Sequence, residues 1–409
     1  MLSKILSVYS LLLAIGILLI GNGLLGTALA VHASMEAFPD TVTGIVMSAF
    51  FLGFVIGSYL CPRLISEVGH IRAFAVFAAF GTVSVLSHGL LVDPVIWWVL
   101  RIISGIAIVG LYLVVESWLN ILIPKQERGR IFSIYVMVNL LALGSGQYLI
   151  LVYGAGELAT YALCAVFFVL ALVPIAITRI PQPTSVEVPR LIVRRLMKIS
   201  PLGLMGSLAT GLGNGAFWGL GPLYAHNIGY SEADIALFMS AIIFGGALLQ
   251  FPIGHQSDRF DRRKVLMFVC LFAALAAIAM FVFAEISRIG LIISAIVYGG
   301  FSFAVYSLSV AHTNDHIEHT EIMDATQGLL LLNGVGAAIG PIVAGVLMQL
   351  FGNQSLMIYF AVVFALLSVF AFIRIGISAP VPAEEQSDFV ALSRTGTAAV
   401  EMDPRVENS

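Results

Sequence analysis

Long apolar segments separated by short polar loops run through almost the whole chain of 409 residues. The length of each segment is close to that of a helix that crosses the hydrocarbon core of a bilayer, which needs about 20 apolar residues. A backbone in hydrocarbon has to satisfy its own hydrogen bonds, so these segments are predicted to be helices. The pattern predicts twelve membrane spans, at residues 8–30, 42–62, 73–91, 95–118, 131–153, 158–178, 201–224, 233–254, 265–284, 289–311, 325–350 and 355–377.

Lysine and arginine are distributed unequally between the two sets of loops. If the N-terminus lies inside, all of the 20 basic residues except Arg101 and Arg288 fall on the cytoplasmic side. Basic residues collect in the cytoplasmic loops of membrane proteins. The pattern therefore predicts that both termini are cytoplasmic. The run from Val8 to Ala30 is longer than the apolar core of a signal peptide, so we expect it to be a retained first helix.

The second half of the chain repeats the first. Offsets of 192 or 194 residues align identical residues, namely Asn22 with Asn214, Gly53 with Gly245, Asn139 with Asn333 and Gly146 with Gly340. Repeated halves with a site between them are common in secondary transporters. We expect one helical bundle over 1–178, a cytoplasmic linker over 179–200, a second bundle over 201–377 and a disordered cytoplasmic tail over 378–409.

Composition excludes several classes of protein. Hydrophobic residues make up 59% of the chain, which is far above a soluble domain, and the net charge of −3 argues against binding of nucleic acid. No Gly-x-x-x-x-Gly-Lys-Ser/Thr loop and no nucleophile–base pair is evident in the sequence, so neither ATP drive nor catalysis is predicted. The expected partners are a small molecule and the lipid bilayer, with no cofactor and no metal.

One polar loop is unusually charged. Residues 254–264 hold two acids and four bases between two apolar segments. The loop resembles the signature Gly-x-x-x-Asp-Arg-x-x-Arg-Arg of the major facilitator superfamily, with matches at Gly254, Asp258, Arg259, Arg262 and Arg263. Arg101 begins a second match, to the Arg-x-x-x-Gly of the fourth helix, which ends at Gly105.

This resemblance covers about residues 8–377. It is strongest to the uncharacterised bacterial YcaD-like branch, on the segments Val115–Trp118, Arg128–Arg130, Gly146–Gln147 and Gln250–Gly254. It implies an all-α membrane protein with two pseudo-symmetric six-helix bundles. It also implies a secondary active transporter of the inner membrane that moves a small molecule by alternating access. A monomer is expected. The alternative is a non-transporting sensor or scaffold on the same fold, and the substrate and the direction of transport stay open.

The charged loop is expected to latch a cytoplasmic gate, in which basic residues of the first half also take part. The expected gate consists of Gly254, Asp258, Arg259, Arg262, Arg263, Arg72, Arg128 and Arg130. The corresponding loop of the first half is degenerate, because Ser66 stands where the repeat places the acid. A latch of that half is therefore expected to differ.

Polar residues inside predicted spans are candidates for a central cavity. An arginine in a membrane span has to face protein or water, and a buried amide has to find a partner. Arg101 either binds an anionic substrate or influences a proton carrier, or it is a structural arginine bonded to backbone carbonyls. The expected lining residues are Arg101, Asn22, Asn214, Tyr112, Asn139, Gln147, Trp218 and Asn333.

Two further groups have open alternatives. Glu116 is the leading candidate for a proton-coupling carboxylate, and the alternative is a structural acid that pairs with bases such as Arg72, Arg128 or Arg130. The histidines His312, His316 and His319 would share one face of a helix. They are either a site for a metal or a proton, or part of a solvated loop, which is the reading that we favour.

Overall fold

The computed structural model describes residues 2–123, 127–177, 193–318, 321–377, 379–382, 385–387 and 389–390. The first half contains eight helices: α1 (Leu2–Met35), α2 (Asp40–Val68), α3 (His70–Leu90), α4 (Pro94–Leu122), α5 (Arg128–Gly146), α6 (Ile150–Tyr153), α7 (Leu158–Leu170) and α8 (Leu172–Ile177). The second half contains α9 (Val193–Ile199), α10 (Pro201–Asn227), α11 (Glu232–Ser257), α12 (Arg262–Ile286), α13 (Arg288–Asn314), α14 (Ile322–Phe351) and α15 (Ser355–Ile377). A short 3₁₀ turn, Gln147–Leu149, joins α5 to α6.

In the described part of the chain, eleven helical segments are long and apolar enough to cross a membrane. α5 and α6 together form one of them, Arg128–Tyr153, and α7 and α8 form another, Leu158–Ile177. α10 has 27 residues, but its many glycines and polar residues keep it out of this set. A span count of twelve therefore depends on α10.

The helices extend past the predicted spans. The span predicted at 8–30 lies within Leu2–Met35, and the one predicted at 95–118 lies within Pro94–Leu122. A helix does not have to end where the hydrocarbon ends, because its backbone remains bonded in water as well. α4 begins at a clear signal, since Asp93 accepts hydrogen bonds from the amides of Val95 and Ile96, and Pro94 occupies the first turn.

Equivalent glycines join equivalent helix pairs in the two halves. A Cβ atom added to Gly53 on α2 would lie 2.1 Å from the carbonyl oxygen of Ile102 on α4. A Cβ atom added to Gly245 on α11 would lie 2.1 Å from the carbonyl oxygen of Ile296 on α13. Small residues of this kind let the backbones of membrane helices approach closely. The sequence repeat is thus matched by a repeat in packing.

A second glycine contact follows the same repeat. Gly146 of α5 faces the carbonyl oxygen of Ile20 on α1, with 2.3 Å to an added Cβ atom. Gly340 of α14 faces the carbonyl oxygen of Leu212 on α10, with 2.2 Å to an added Cβ atom. The 192- and 194-residue offsets therefore relate pairs of helices, and not only isolated residues.

The two halves meet tightly at the end of the bundle opposite the charged loop. A Cβ atom on Gly44 of α2 would lie 2.3 Å from the carbonyl oxygen of Pro341 on α14. The hydroxyl of Ser34 donates to the side-chain oxygen of Asn227 over 2.7 Å. Further bonds between the halves join Tyr148 to Ser240 at 2.9 Å and the Ala155 amide to Glu232 at 2.8 Å. We call this end, defined by these contacts, the sealed end.

Candidate functional site

A cavity of about 240 Å³ lies between the two halves. Residues from α1, α2, α4 and α5 of the first half and from α10, α11, α13 and α14 of the second line it. None of the expected lining residues lies on α2, which contributes Phe50, Phe51, Phe54, Val55, Ser58 and Tyr59. The cavity therefore involves both halves about equally, as the position of a site between repeated halves requires.

Arg101 lies on the cavity wall and is 5% exposed. Its guanidinium carbon is 4.5 Å from the centroid of the Phe50 ring, which is the geometry of a cation–π contact. The Nε atom of Arg101 has no hydrogen-bond partner in the described part of the chain. The guanidinium thus lies over an aromatic ring, and the bond from Nε to a backbone carbonyl that a structural role would supply is not formed among the described residues.

Four asparagines reach the same wall, namely Asn22, Asn139, Asn214 and Asn333. Asn333 donates to the carbonyl oxygen of Ser207 over 3.1 Å, so it also joins α14 to α10. Neither side-chain polar atom of Asn214, which is 4% exposed, has a partner in the described part. The Oδ1 atom of Asn139 is unpartnered there as well. These amides have hydrogen-bonding capacity that the helix packing does not use.

Gln147 is not among the residues that line the cavity. Its side chain lies in the 3₁₀ turn after α5 and is fully buried between α5 and α1. The amide donates to the carbonyl oxygens of Gly23 at 3.2 Å and Leu143 at 3.0 Å, and it accepts a bond from the hydroxyl of Thr27. Backbone carbonyls satisfy this amide, so it packs two helices together instead of facing the cavity.

Aromatic rings form much of the remaining wall. Tyr112 and Trp218 were expected, and both line the cavity. Sequence reasoning missed Phe50, Phe54 and Tyr59 on α2, and it also missed Gln250 and Gln327. The signal that was present is spacing, because residues 50, 54 and 58 and residues 51, 55 and 59 follow the i, i+4, i+8 rows of one helix face.

Glu116 is fully buried on α4, six residues before the helix ends at Leu122. The hydroxyl of Tyr135 on α5 donates to its Oε1 atom over 2.8 Å. Tyr112, one helical turn earlier, lines the cavity, as does Val136, which follows Tyr135. Glu116 is therefore placed directly behind the cavity wall, where a carboxylate is shielded from bulk water.

The charged loop is organised by one buried arginine. Arg262 is 2% exposed and donates to Asp258 at 2.9 Å and to both carboxylate oxygens of Asp315 at 2.8 and 2.9 Å. Asp315 follows the end of α13, so this arginine ties the α11–α12 loop to α13. Arg263 instead pairs with Asp261 at 2.8 Å, and Arg259 lies exposed at the surface.

Part of the segment expected to be a disordered tail contacts this loop. Ser387 donates to Asp315 from its amide at 3.0 Å and from its hydroxyl at 2.9 Å. The amide of Phe389 donates to Asp258 at 2.9 Å, and the Phe389 ring lies against Gly254. Arg262 also donates to the carbonyl oxygen of Ser387. We call Ser387, Phe389 and Val390, which is 8% exposed, the tail strap.

Burial and hydrogen bonding shift the acids of this region in opposite directions. Burial raises the pKa of Asp315 above its usual value, although the charge of Arg262 and the bonds from Ser387 act against that rise. Burial also tends to raise the pKa of Asp261, but the hydrogen bonds and the charge of Arg263 outweigh it, so that pKa is lowered. The two acids of the loop region therefore respond differently to acid.

The bases expected from the first half do not join Arg262. Arg72 and Arg130 are exposed, and Arg128 donates to the carbonyl oxygen of Asn120 over 3.1 Å. Among the described residues, the ion pairs of Arg262 stay within the second half. The latch in this state therefore holds second-half helices and the tail strap to one another.

The histidine group is only partly described. The rings of His312 and His316 lie 4.6 Å apart, and Nδ1 of His316 is 2.8 Å from the carbonyl oxygen of His312. His319 lies outside the described residues. Within the described part, no group of three or more potential ligands is arranged to hold a metal ion.

The sequence model of the Major Facilitator Superfamily matches residues 11–200 and 203–400. The chain belongs to this superfamily. Among its superfamily relatives, an uncharacterized MFS-type transporter named YcaD from Escherichia coli O6:K15:H31 (strain 536 / UPEC) is 27% identical over 355 residues, which cover 86% of this chain and 92% of that protein. The resemblance to the YcaD-like branch is thereby confirmed.

Solved structures of the superfamily share the fold. A crystal structure of the nucleoside transporter NupG matches with a TM-score of 0.74 and 16% identity, over 93% of this chain and 100% of that one. A bacterial homolog of the human lysosomal transporter Spinster, in an inward-facing and unoccupied conformation, matches with a TM-score of 0.68 and 13% identity, over 99% and 98% of the chains. The protein is thus a multi-pass membrane protein with the architecture of a transporter.

Proposed function

We propose that the protein is a secondary active transporter that moves a small molecule across the inner membrane by alternating access. In this proposal twelve helices cross the membrane, with α10 as the seventh, and both termini are cytoplasmic. The protein acts as a monomer and performs no covalent chemistry on its cargo. The charged-loop end is then the cytoplasmic end, and the sealed end faces outward.

The observation that carries the proposal is a central cavity between repeated halves that are fastened together at one end. α10 packs against α14, α13 and α15 of the second half and α1 of the first, and it lines that cavity, which supports counting it as a crossing helix. Cavity residues such as Ser58, Gln250 and Gln327 lie in the parts of their helices nearer the charged-loop end. This arrangement supports the proposal of an inward-open state, in which substrate would exchange with the cytoplasm.

The proposal requires the sealed end to open and the charged-loop end to close. Spin labels at Arg72→Cys and Lys264→Cys, which are both exposed and related by the 192-residue offset, report the separation of the halves at the charged-loop end. Pulsed electron paramagnetic resonance on protein in nanodiscs, with the three native cysteines replaced, is expected to show a long and a short distance. The long one corresponds to the state described here.

A cross-link tests the assignment of these distances. A disulfide between Ser34→Cys and Asn227→Cys, whose native side chains are 2.7 Å apart, fastens the sealed end across the two halves. It should remove the short distance. The matched control joins Asn227→Cys to Asn353→Cys, at 3.2 Å within the second half, and should leave both distances. A single distance that neither disulfide changes would favour the non-transporting sensor or scaffold.

We further propose that transport is coupled to protons through Glu116. The supporting observation is a carboxylate that is fully buried at the back of the cavity wall and accepts a bond from Tyr135 at 2.8 Å. A carboxylate there can change its protonation only when a path to water opens, which links proton uptake to the conformational cycle. Tyr135 orients the carboxylate toward α5, so movement of α5 against α4 alters its surroundings.

The same spin labels test coupling without a known substrate. Lowering the pH from about 7.5 to about 5.5 is expected to change the ratio of the two distances in the unmodified background. Glu116→Gln, which imitates the protonated acid, should show the low-pH ratio at both pH values. Glu127→Gln removes an exposed acid before α5 and is the matched control. A normal pH response in Glu116→Gln would assign the proton to another group.

A further inference from the structure

The wall of the central cavity carries a single charge, and that charge is positive. Among the described residues that line the cavity, Arg101 is the only acidic, basic or histidine side chain. Guanidinium remains protonated at any physiological pH. A cation in a cavity of low polarity attracts anions and repels cations, with a strength that increases as water is removed.

Arg101 is also prepared to bind a ligand. Its guanidinium carbon lies 4.5 Å from the centroid of the Phe50 ring, and its Nε atom has no partner in the described part although the residue is only 5% exposed. A buried donor without a partner costs free energy that a bound acceptor would recover. The fork of N–H groups in guanidinium matches the two oxygens of a carboxylate.

The amides around the cavity add neutral hydrogen-bonding capacity. Both polar atoms of the Asn214 side chain, Oδ1 of Asn139 and Oε1 of Gln327 have no partner in the described part of the chain. Three of these four atoms are oxygens, which only accept hydrogen bonds. A ligand with a hydroxyl or N–H group beside its anionic group would supply the donors that these oxygens lack.

The rest of the wall fits a flat apolar body. Phe50, Phe54, Tyr59, Tyr112, Trp218 and Phe303 contribute rings from both halves. The cavity volume of about 240 Å³ is somewhat below the range for ligand pockets, about 300–1,000 Å³, which favours a small ligand. A single cation balances one negative charge, so a phosphate monoester with nearly two charges would leave one uncompensated.

We propose that the cavity binds small aromatic monocarboxylates that carry a hydroxyl or N–H group, with the carboxylate on Arg101. The inference rests on the proposed function only in taking the bound anion as the transported molecule. Binding itself is a separate property that does not depend on transport. Neutral and cationic molecules of the same shape are expected to bind weakly.

The test compares ligands that differ only in charge. Benzoate, 4-hydroxybenzoate and indole-3-acetate are each paired with the carboxamide and with the primary amine of the same skeleton. Equilibrium binding to the purified full-length protein in nanodiscs is measured by calorimetry. At least one carboxylate is expected to bind about tenfold or more tightly than its carboxamide, and its amine should bind least. If no carboxylate binds more tightly than its carboxamide, the proposal is wrong.

Variants locate the charge that makes the difference. Arg101→Met keeps an apolar chain of similar reach, and it is expected to abolish the preference for the carboxylate while carboxamide binding changes little. Arg101→Lys should retain part of the preference. A preference that survives in folded Arg101→Met contradicts the assignment. If that variant does not fold, Asn214→Leu and the charge series on unmodified protein remain as tests, and Asn214→Leu should lower the affinity for 4-hydroxybenzoate more than for benzoate.

Transport is then measured separately with the best ligand, labelled with tritium, in proteoliposomes. Preferential binding of the anion without flux would support this inference and contradict the proposed transport function. Flux of the carboxamide or amine in preference to the carboxylate would support transport and contradict this inference. The two proposals therefore fail in different ways.

Discussion

Two corners of the molecule have equivalent positions in the repeat but are held by different chemistry. The α11–α12 corner is built on Arg262, which is buried between Asp258 and Asp315. The α2–α3 corner has His70 at the position of Arg262 and Ser66 at the position of Asp258, by the 192-residue offset. There, Nε2 of His70 lies 2.9 Å from the hydroxyl of Ser117, and its ring lies 5.3 Å from that of Trp118.

The comparison shows that the corner geometry does not itself require charge. A neutral histidine–serine contact and an aromatic neighbour are sufficient in the first half, where Gly69 turns the chain with a φ of 82°. In the second half, the buried charges add a binding surface, because Asp258 and Asp315 also accept bonds from the tail strap. Charge at this corner therefore ties the loop to α13 and also attaches another segment.

The largest expected effect comes from removing the central charge. Arg262→Met leaves Asp315, whose side chain is 1% exposed, as a buried acid without its cation. Breaking a buried ion pair in this way costs about 3–5 kcal/mol. We expect a large fall in the melting temperature of the detergent-solubilised protein. The control Arg259→Met removes an exposed base from the same loop and should have little effect; equal effects would contradict the special role of Arg262.

A transplant of the charged pair sharpens the comparison. His70→Arg alone places a charge in a neutral, buried corner and is expected to destabilise the protein. Ser66→Asp provides an acid one helical turn earlier, as Asp258 does for Arg262. The double variant should recover stability with a coupling free energy of about 1–2 kcal/mol in a double-mutant cycle. The cycle is repeated in Glu67→Gln to exclude pairing with that acid, and a coupling near zero would show that the corners are not interchangeable.

Acid is expected to loosen the tail strap. The bonds from Ser387 lower the pKa of Asp315, so the acid has a lower pKa with the strap bound than without it. Binding of the strap is therefore complete above the pKa of the strap-free form and is lost as the pH falls through the pKa of the bound form. Because burial raises that pKa, the loss occurs above pH 3.8.

A spin label at Glu385→Cys, which is exposed, measures this loosening as faster motion at low pH. In Asp315→Asn the acid cannot titrate, so the pH dependence of the motion should largely disappear. Asp261→Asn is the control, because this acid does not contact the strap and its pKa is lowered. Unchanged pH dependence in Asp315→Asn would assign the effect to another group.

The smallest expected effect concerns packing alone. A Cβ atom on Gly254 would lie 2.1 Å from the ring of Phe389, so Gly254→Ala is expected to displace the strap without touching any charge. Phe389→Ala removes the same contact from the other partner. Both should increase the motion of the label at residue 385 and change the melting temperature little. An immobile label in Gly254→Ala would show that the ionic contacts alone hold the strap.

The hydrophobic pattern of the sequence predicts much of the fold. Each of the twelve predicted spans lies within or overlaps a helical segment, and the repeat predicted from matched asparagines and glycines is seen in the glycine contacts. The pattern succeeds because a bilayer forces apolar segments of this length to be helical. The ends of the helices were less predictable, because the polar residues that extend α1 to Met35 are also compatible with a loop.

The residues of the site could be predicted only where a polar side chain interrupts an apolar span. Arg101, Asn139 and Asn214 stand out in apolar spans, and they line the cavity. Phe50 and Phe54 do not stand out, because an aromatic residue toward lipid and one toward a cavity look alike in sequence. Gln147 is also polar, but backbone carbonyls of neighbouring residues accept the hydrogen bonds of its side-chain amide, and the sequence does not show this. The tail strap escaped notice because its partners, Arg262 and Asp315, lie more than 70 residues earlier in the chain.

The contact between Gly53 and Ile102 has a mechanical consequence. Two backbones that touch through a glycine and a carbonyl cannot slide past each other without a steric clash, so α2 and α4 are expected to move as one rigid unit. This unit contains Arg101 on α4 and Gly44 on α2, and Gly44 contacts Pro341 at the sealed end. A displacement of α2 and α4 beside the cavity is therefore expected to shift the Gly44–Pro341 contact at the sealed end as well.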